Sequence, residues 1–507
     1  MTELTVRKLV DKNDGEAQAI LSESQSPLSY GQLGQHIDTT VLALNRFGVG
    51  RGDSVAFVLP NGPLAASAFL SLSCGATCAP LNPAYRQEEF EFYLGDLEAR
   101  ALVVEEGADS PATAAAQKLG IPLVELRAHG DAAGSFVLQG EPGQPPAKGG
   151  LAEPDDVAMV LHTSGTTARP KIVPLSHRNV CASATNIAYT LGLRPQDKCL
   201  NVMPLFHIHG LIGALLSSIA AGGSIHCTSG FNAMKFFGWL DQVKPTWYSA
   251  VPTMHQAILS RAVRNQDIVD RNALRLIRSS SAALPPIVLA QLEETFHAPV
   301  VESYGMTEAA HQMASNPLPP KARKPGSVGP AAGPEVGIMD EAGTILPQGE
   351  TGEIVIRGAN VTTGYARNPE ANATAFTDGW FRTGDQGRLD EEGYLYITGR
   401  LKEIINRGGE KISPREVDEA LLDHPDVAQA VVFAMPHPKL GEEVAAAVVL
   451  APDSSATEKD LREFVLERLA DFKTPRRIVI LDEIPKGPTG KIQRIGLAAK
   501  LGLTDGT

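Results

Sequence analysis

A short apolar run that empties into a cluster of hydroxyls suits the end of a buried strand, and Leu161 to Val173, LHTSGTTARPKIV, has that form. Val157 to His162 reads as the strand. Thr163, Ser164, Gly165, Thr166 and Thr167 follow at once, and Lys171 comes six residues after the glycine. Small residues let backbone N–H groups approach a polyanion, hydroxyls add donors, and a lysine at the rim brings mobile positive charge. The stretch is a candidate phosphate cradle, with a nucleoside triphosphate as its natural ligand. It is not a Walker loop, because Pro170 stands where that motif has its second glycine and Ile172 follows the lysine.

The surrounding pattern alternates helical spacing with short apolar runs, which predicts an α/β fold with parallel sheet and helical crossovers. Helices are expected at Tyr30–Arg46, Ala66–Gly75, Glu88–Leu97, His177–Leu191, from Leu211, and at Asn232–Val243. Strands are expected at Ser54–Leu59, Ala101–Val104, Arg275–Ser279 and Pro299–Tyr304, several ending in polar residues. That is where open α/β sheets hold their ligands. Gln139 to Glu153 reads as a polar Pro/Gly linker. From Gly326 the texture becomes β-rich, and after a boundary at Arg400 to Lys402 a small α+β unit follows. The expected plan is a large N-terminal domain (1–399) of stacked α/β subdomains plus a β-rich subdomain, a hinge (400–402) and a mobile α+β C-terminal domain (403–507).

The 507 residues carry 45 basic and 58 acidic side chains, a net charge of −13, so a nucleic-acid or anionic-membrane surface is not expected and any phosphate site must be local. Five cysteines without metal spacing read as reduced thiols. With no secretory leader pattern at its start, the chain is expected to be cytoplasmic, a monomer or homodimer. The triplets at Asn360 and Asn372 and the Arg51-Gly52-Asp53 turn carry no signal in that setting.

Tyr304-Gly-Met-Thr307-Glu308, Thr383-Gly-Asp385, Arg400, Gly408-Gly409 and Gly487-Pro-Thr-Gly-Lys491 follow the hydroxyl-rich loop in order. Jointly they resemble the adenylate-forming superfamily of acyl-CoA synthetases, luciferases and nonribosomal adenylation domains, across essentially the whole chain. The resemblance implies ATP, Mg²⁺ and CoA as ligands. It places the β- and γ-phosphates on Thr163, Ser164, Gly165, Thr166, Thr167 and Lys171, the metal on Glu308 and the α-phosphate on Thr307. Adenine would stack on Tyr304, and the ribose hydroxyls would go to Asp385 with Arg400. Lys491 would bridge the acyl carboxylate and the α-phosphate. Lys402 would be the pivot that exchanges Lys491 for the Gly408-Gly409 turn beside the pantetheine arm. Ile172 departs from the family, which usually has glycine there.

Within the superfamily, Pro204-Leu-Phe-His207-Ile-His-Gly210, Arg278-Ser-Ser-Ser-Ala282, Met306-Thr-Glu-Ala-Ala-His311 and Asn406-Arg-Gly-Gly-Glu-Lys-Ile look like oxalyl-CoA synthetases. A long-chain pocket gains about 0.8 kcal/mol per buried CH₂ and has no use for histidine or serine. A two-carbon dianion needs donors for its distal carboxylate, and His207, Ser281 and His311 could supply them. The expected activity is ligation of a small acid, oxalate first, to CoA through an acyl-adenylate. The alternatives are a medium-chain or aryl acid ligase, a luciferase-like oxygenase and a non-catalytic binding protein. Replacing Lys491 by alanine should lower adenylation at least ~10²-fold, the order expected for losing one electrostatic stabiliser. Thioester formation from preformed adenylate should survive, and separate assay of the two half-reactions checks this.

Overall fold

The computed structural model describes residues 4–163, 170–452, 454–485 and 493–503. These form two compact units. One comprises the chain to Thr163, Lys171–Val336 and Ile356–Phe381; the other comprises Gly337–Val355 and the chain from Arg382.

The first unit holds two mostly parallel sheets. Their strands, in chain order, are β1 (Gln18–Leu21), β2 (Leu28–Ser29), β3 (Ser54–Val58), β4 (Thr77–Pro80), β5 (Ala101–Glu105), β6 (Leu123–Ala128), β7 (Phe136–Gln139), β8 (Val157–Thr163), β9 (Lys171–Ser176), β10 (Lys198–Asn201), β11 (Ser224–Cys227), β12 (Trp247–Ala250), β13 (Leu276–Ser279), β14 (Val300–Met306) and β15 (His311–Ser315). One sheet runs β7-β6-β5-β3-β4-β8-β9 and the other β15-β14-β13-β12-β10-β11-β1-β2. Antiparallel pairing is confined to the ends: β7 on β6, β9 on β8, β2 on β1 and β15 on β14. Interior strands such as β12 and β13 are buried at every position, which is why they read as unbroken apolar runs rather than alternating ones.

The helix Tyr30–Arg46 coincides with its expected span. Ser29 and Gln32 form a reciprocal cap at its start, and Leu33, Ile37, Val41 and Leu44 bury one face. Each such buried side chain contributes roughly 1.5–3 kcal/mol. Other boundaries move for identifiable reasons. Pro63, at the first helical position, starts the next helix at 63 rather than 66. Asn232 instead accepts from the N–H groups of Met234 and Lys235, so that helix begins at Phe236. The segment expected to be an α-helix from Leu211 is a π-helix, His209–Leu216, running into a short α-turn. All five cysteines are buried and unpaired, and burial pushes the Cys74 and Cys227 thiols up to about 12, which makes them inert. Among the described residues no helix is long and apolar enough to cross a membrane.

In the second unit, 385–389 pairs antiparallel with Leu395–Arg400. A sheet ordered Glu410–Ile412, Ile405–Arg407, Gly441–Leu450, Val427–His437, with Arg477–Ile480 beside 441–450, follows it. The helices Pro414–Leu422 and Glu458–Leu466 seat Val417, Leu421, Leu461 and Val465 on its Val432, Val444 and Val448.

The 139–153 segment, though polar and rich in Pro and Gly, lies against the body of the first unit. The Arg51 N–H donates to the Lys148 carbonyl (2.8 Å), and Gly143 N–H donates to Arg46 O (2.8 Å). A Cβ at Gly50 would come 2.2 Å from Lys148 O and 2.7 Å from Pro146 Cβ. Arg51 pairs with Asp156 and Glu153, so the Arg-Gly-Asp triplet is consumed structurally. Gly50→Ala should therefore lift this segment. We expect a loss of about 1–3 kcal/mol in denaturant unfolding and faster limited proteolysis between 139 and 153.

Candidate active site

The strand order of the larger sheet reverses at β10, whose chain successor β11 lies on one side and β12 on the other. In open α/β sheets the crevice beyond such a reversal is the ligand site. Here the residues leaving β10 fill it with the π-helix. Its first residue, His209, is fully buried and spans two strands: Nδ1 is 3.0 Å from Ser281 Oγ, beyond β13, and Nε2 is 2.6 Å from Ser249 Oγ on β12. Burial, reinforced by nearby His311 and Arg278, holds its pKa well below that of a free histidine, so the ring is neutral near pH 7.

His209 stacks on His311, with ring centroids 4.9 Å apart. Behind His311 lies Arg278, a completely buried guanidinium in β13. It donates to His311 Nε2 (3.0 Å) and to Gln312 Oε1 (3.2 Å). No carboxylate pairs with it among the described residues. Burial pulls its pKa down to about 9, which leaves it cationic at neutral pH. A lone cation in a low-dielectric interior is costly and favours a neighbouring anion. His311 does not cap a helix; it opens β15 with φ +102°, next to Ala310 at +47° and across from Met306. Two glycines make room for it. A Cβ at Gly305 would overlap the His311 carbonyl at 1.8 Å, and one at Gly213 would lie 2.5 Å from His311 Cδ2.

The hairpin joining β14 to β15 carries Thr307 and Glu308 on a single 3₁₀ turn. Glu308 is buried, and its Oε1 accepts from the Tyr365 hydroxyl (2.9 Å) while its backbone carbonyl accepts from Thr362 N–H (2.7 Å). The Lys171 ammonium lies 4.4 Å from the centre of the Tyr365 ring, so one tyrosine links the lysine of the hydroxyl-rich loop to the carboxylate. Burial and the adjoining Glu308 both hold the proton on that phenol. Thr163 and Lys171 face each other across the β8–β9 hairpin. Ser164, Gly165, Thr166 and Thr167 between them, and Lys491, lie outside the described residues. Ile172, the departure from the family pattern, is buried in the cluster with Leu81, Phe90 and Val160. Tyr304 is half-buried at the bulge in β14. His207 lies in the turn of chain leading into the π-helix, two residues before His209.

A hard divalent cation suits the Glu308 carboxylate, because magnesium takes one or two protein carboxylates and the rest of its oxygens from phosphate and water. No group of three metal-ligating side chains occurs among the described residues. In the second unit Asp385 is buried and accepts from Arg400 Nε (2.9 Å). The Thr383 hydroxyl accepts from Asp385 N–H (3.1 Å) and donates to Ile354 O (2.7 Å). Gly408 and Gly409, both at positive φ, form the two-residue turn of a hairpin. Lys402 is exposed on a 3₁₀ turn, and the neighbouring Glu403 pairs with Arg494 (3.2 Å).

Three residues escaped sequence reasoning. His209 was readable only as a neighbour of His207, Arg278 as a strand end, and Tyr365 as part of an ordinary loop. Asn360, in a triplet without meaning at the sequence level, is buried and donates to Ala309 O and Gln312 O, pinning the Thr362–Tyr365 segment to the hairpin. Gly213→Ala should push His311 off Arg278. We expect a loss of about 1–3 kcal/mol in denaturant unfolding, with the far-ultraviolet spectrum unchanged.

Residues 8–366 match the model of the AMP-binding enzyme family, and residues 416–491 match that of the AMP-binding enzyme C-terminal domain. The oxalate–CoA ligase of Arabidopsis thaliana is 46% identical over 88% of this chain and 88% of its own. That of Saccharomyces cerevisiae is 44% identical over 88% of this chain and 86% of its own. The crystal structure of ATP-bound MatB from Rhodopseudomonas palustris superimposes with a TM-score of 0.86 at 29% identity, covering 98% of this chain and 99% of the other. With a strand-order reversal, a buried carboxylate linked through Tyr365 to Lys171 and this extent of similarity, the chain belongs to the AMP-binding enzyme family.

Proposed function

We propose that this protein ligates oxalate to CoA at the expense of ATP. One carboxylate oxygen of the acid attacks the α-phosphorus, pyrophosphate leaves, and an acyl-adenylate forms; the CoA thiol, losing its proton, then displaces AMP. Such chemistry needs electrostatic stabilisation where charge develops more than it needs covalent help from the protein. Lys171 and the hydroxyls from Thr163 to Thr167 would hold the departing phosphates, and Thr307 the α-phosphate. Glu308 would hold Mg²⁺, which when bound offsets the phosphate charge. Asp385 with Arg400 would take the ribose, Tyr304 the adenine, and Lys491 the bridging position between acid and α-phosphate. The Gly408-Gly409 turn would lie along the pantetheine arm, with Lys402 as pivot.

The observation that carries the choice of acid is the buried charge of Arg278 behind His311, which meets no carboxylate among the described residues. Oxalate keeps a second anionic carboxylate while the first reacts. Ser281 and His311, with His207 at the entrance, would receive it, and the guanidinium would offset its charge. A medium-chain or aryl acid offers no counter-charge and would leave these donors unpaired. The relatives from Arabidopsis and yeast, named as oxalate–CoA ligases, support the same choice.

The test is a screen of carboxylic acids by pyrophosphate release and CoA-thioester formation. Oxalate should be preferred over acetate and butyrate by a factor on the order of 10⁴, the discrimination reached when a site built around a polar group meets a ligand lacking it. His311→Ala should raise KM for oxalate strongly with little change in KM for ATP. Better use of octanoate or a cinnamate would overturn the assignment to oxalate and leave acid–CoA ligation standing.

A further inference from the structure

Ser249 has no place in the mechanism above, yet it makes a 2.6 Å hydrogen bond to His209 Nε2 from a fully buried position in the middle of the sheet. Its neighbours in register, Asn201 of β10 and Arg278 of β13, direct their hydrogen bonds elsewhere, Asn201 to Cys227 and Met203, Arg278 to His311 and Gln312. His209 Nε2 is its one side-chain hydrogen-bond partner among the described residues. A buried hydroxyl with a single partner donates its proton to it, because the reverse arrangement would strand that proton without an acceptor. The consequences pass along the ring. If Ser249 donates to Nε2, the neutral imidazole carries its own proton on Nδ1. Nδ1–H then donates to Ser281 Oγ, 3.0 Å away. Ser281 has accepted a hydrogen bond there and keeps its own proton free.

Ser281 is the exposed member of the chain. Burial falls from Ser249 and His209, both fully covered, to Ser281, which is half-buried and held at φ +72°, a backbone conformation that serine rarely adopts. We infer that Ser249 is a positioning residue: through the tautomer of His209 it turns the Ser281 hydroxyl into a donor aimed at the anionic end of the acid. A Ser281 that donated inward to His209 would instead present lone pairs to that end and repel it. The orientation is set from within the sheet by a residue that never meets the substrate.

The kinetic part of the test rests on the oxalate reading; the spectroscopic part does not. In the full-length protein labelled with ¹⁵N-histidine, long-range proton–nitrogen correlation reports which nitrogen of His209 is protonated, with the resonance assigned by its loss in His209→Gln. The wild type, without ligand, should carry the proton on Nδ1. Ser249→Ala should lose that preference and raise KM for oxalate on the order of ten-fold, the cost of one hydrogen bond to a charged group, at nearly unchanged kcat and KM for ATP. Ser249→Thr retains the hydroxyl and should restore both. A wild-type proton on Nε2 overturns the inference, as does any variant in which tautomer and KM fail to move together. If oxalate proves not to be a substrate of the wild type, the error lies in the proposed acid, and the tautomer measurement stands by itself.

Discussion

A guanidinium enclosed by protein, with no counter-ion among the described residues, is the constraint around which the active site is arranged. Arg278 occupies a central strand, where sheet geometry allows its side chain no route to water. Its two hydrogen bonds go to neutral acceptors, His311 and Gln312, which satisfy N–H groups without neutralising the charge. Burial, with that charge adding to it, keeps His209 uncharged, and the same charge gives a bound anion its electrostatic reward. Two glycines then follow as necessities, since neither Gly213 nor Gly305 could carry a Cβ without displacing His311.

Backbone irregularity concentrates around the same residues. The π-helix begins at His209, Ser281 and His311 have positive φ, and β14 carries its bulge at Tyr304 and Gly305. π-Turns, bulges and strained dihedrals re-aim side chains that a regular element would point elsewhere, and they persist only where surrounding packing holds them. The core supplies that support: Leu211, Ile212, Ala214, Leu215 and Leu216 of the π-helix are all fully buried. The phosphate side of the site is built differently. There the β8–β9 pairing stays regular from Met159 to Thr163, and Tyr365 brings Lys171 and Glu308 into one group from a loop nearly 200 residues further along the chain from Lys171.

Much of this was readable before folding because the code involved is local. Period-3.6 and unbroken apolar runs pointed to the helix Tyr30–Arg46 and to strands as far as Pro299–Tyr304, observed as Val300–Met306, and the alternation of the two implied a parallel sheet. Thr307 and Glu308 announced themselves by motif. Where a boundary shifted, a single side chain was responsible: Pro63 as a helix starter, Asn232 as a turn former. The π-helix was not readable, because an apolar run such as Leu211 to Leu216 suits α and π turns equally and only packing against His311 and Arg278 separates them.

The sequence by itself determined the architecture and the reaction class, since hydrophobic periodicity and motif order are properties of neighbours along the chain. It also yielded Ser281 and His311 as candidates for the acid. Tertiary structure alone decided what lies between and behind them: His209 rather than His207 joining the two strands, Ser249 beneath it, and Arg278 supplying the charge. Such roles depend on which strand ends become adjacent and on how completely water is excluded. A serine in Trp247-Tyr-Ser-Ala250 or an arginine in Leu276-Ile-Arg-Ser279 carries neither fact in its own neighbourhood.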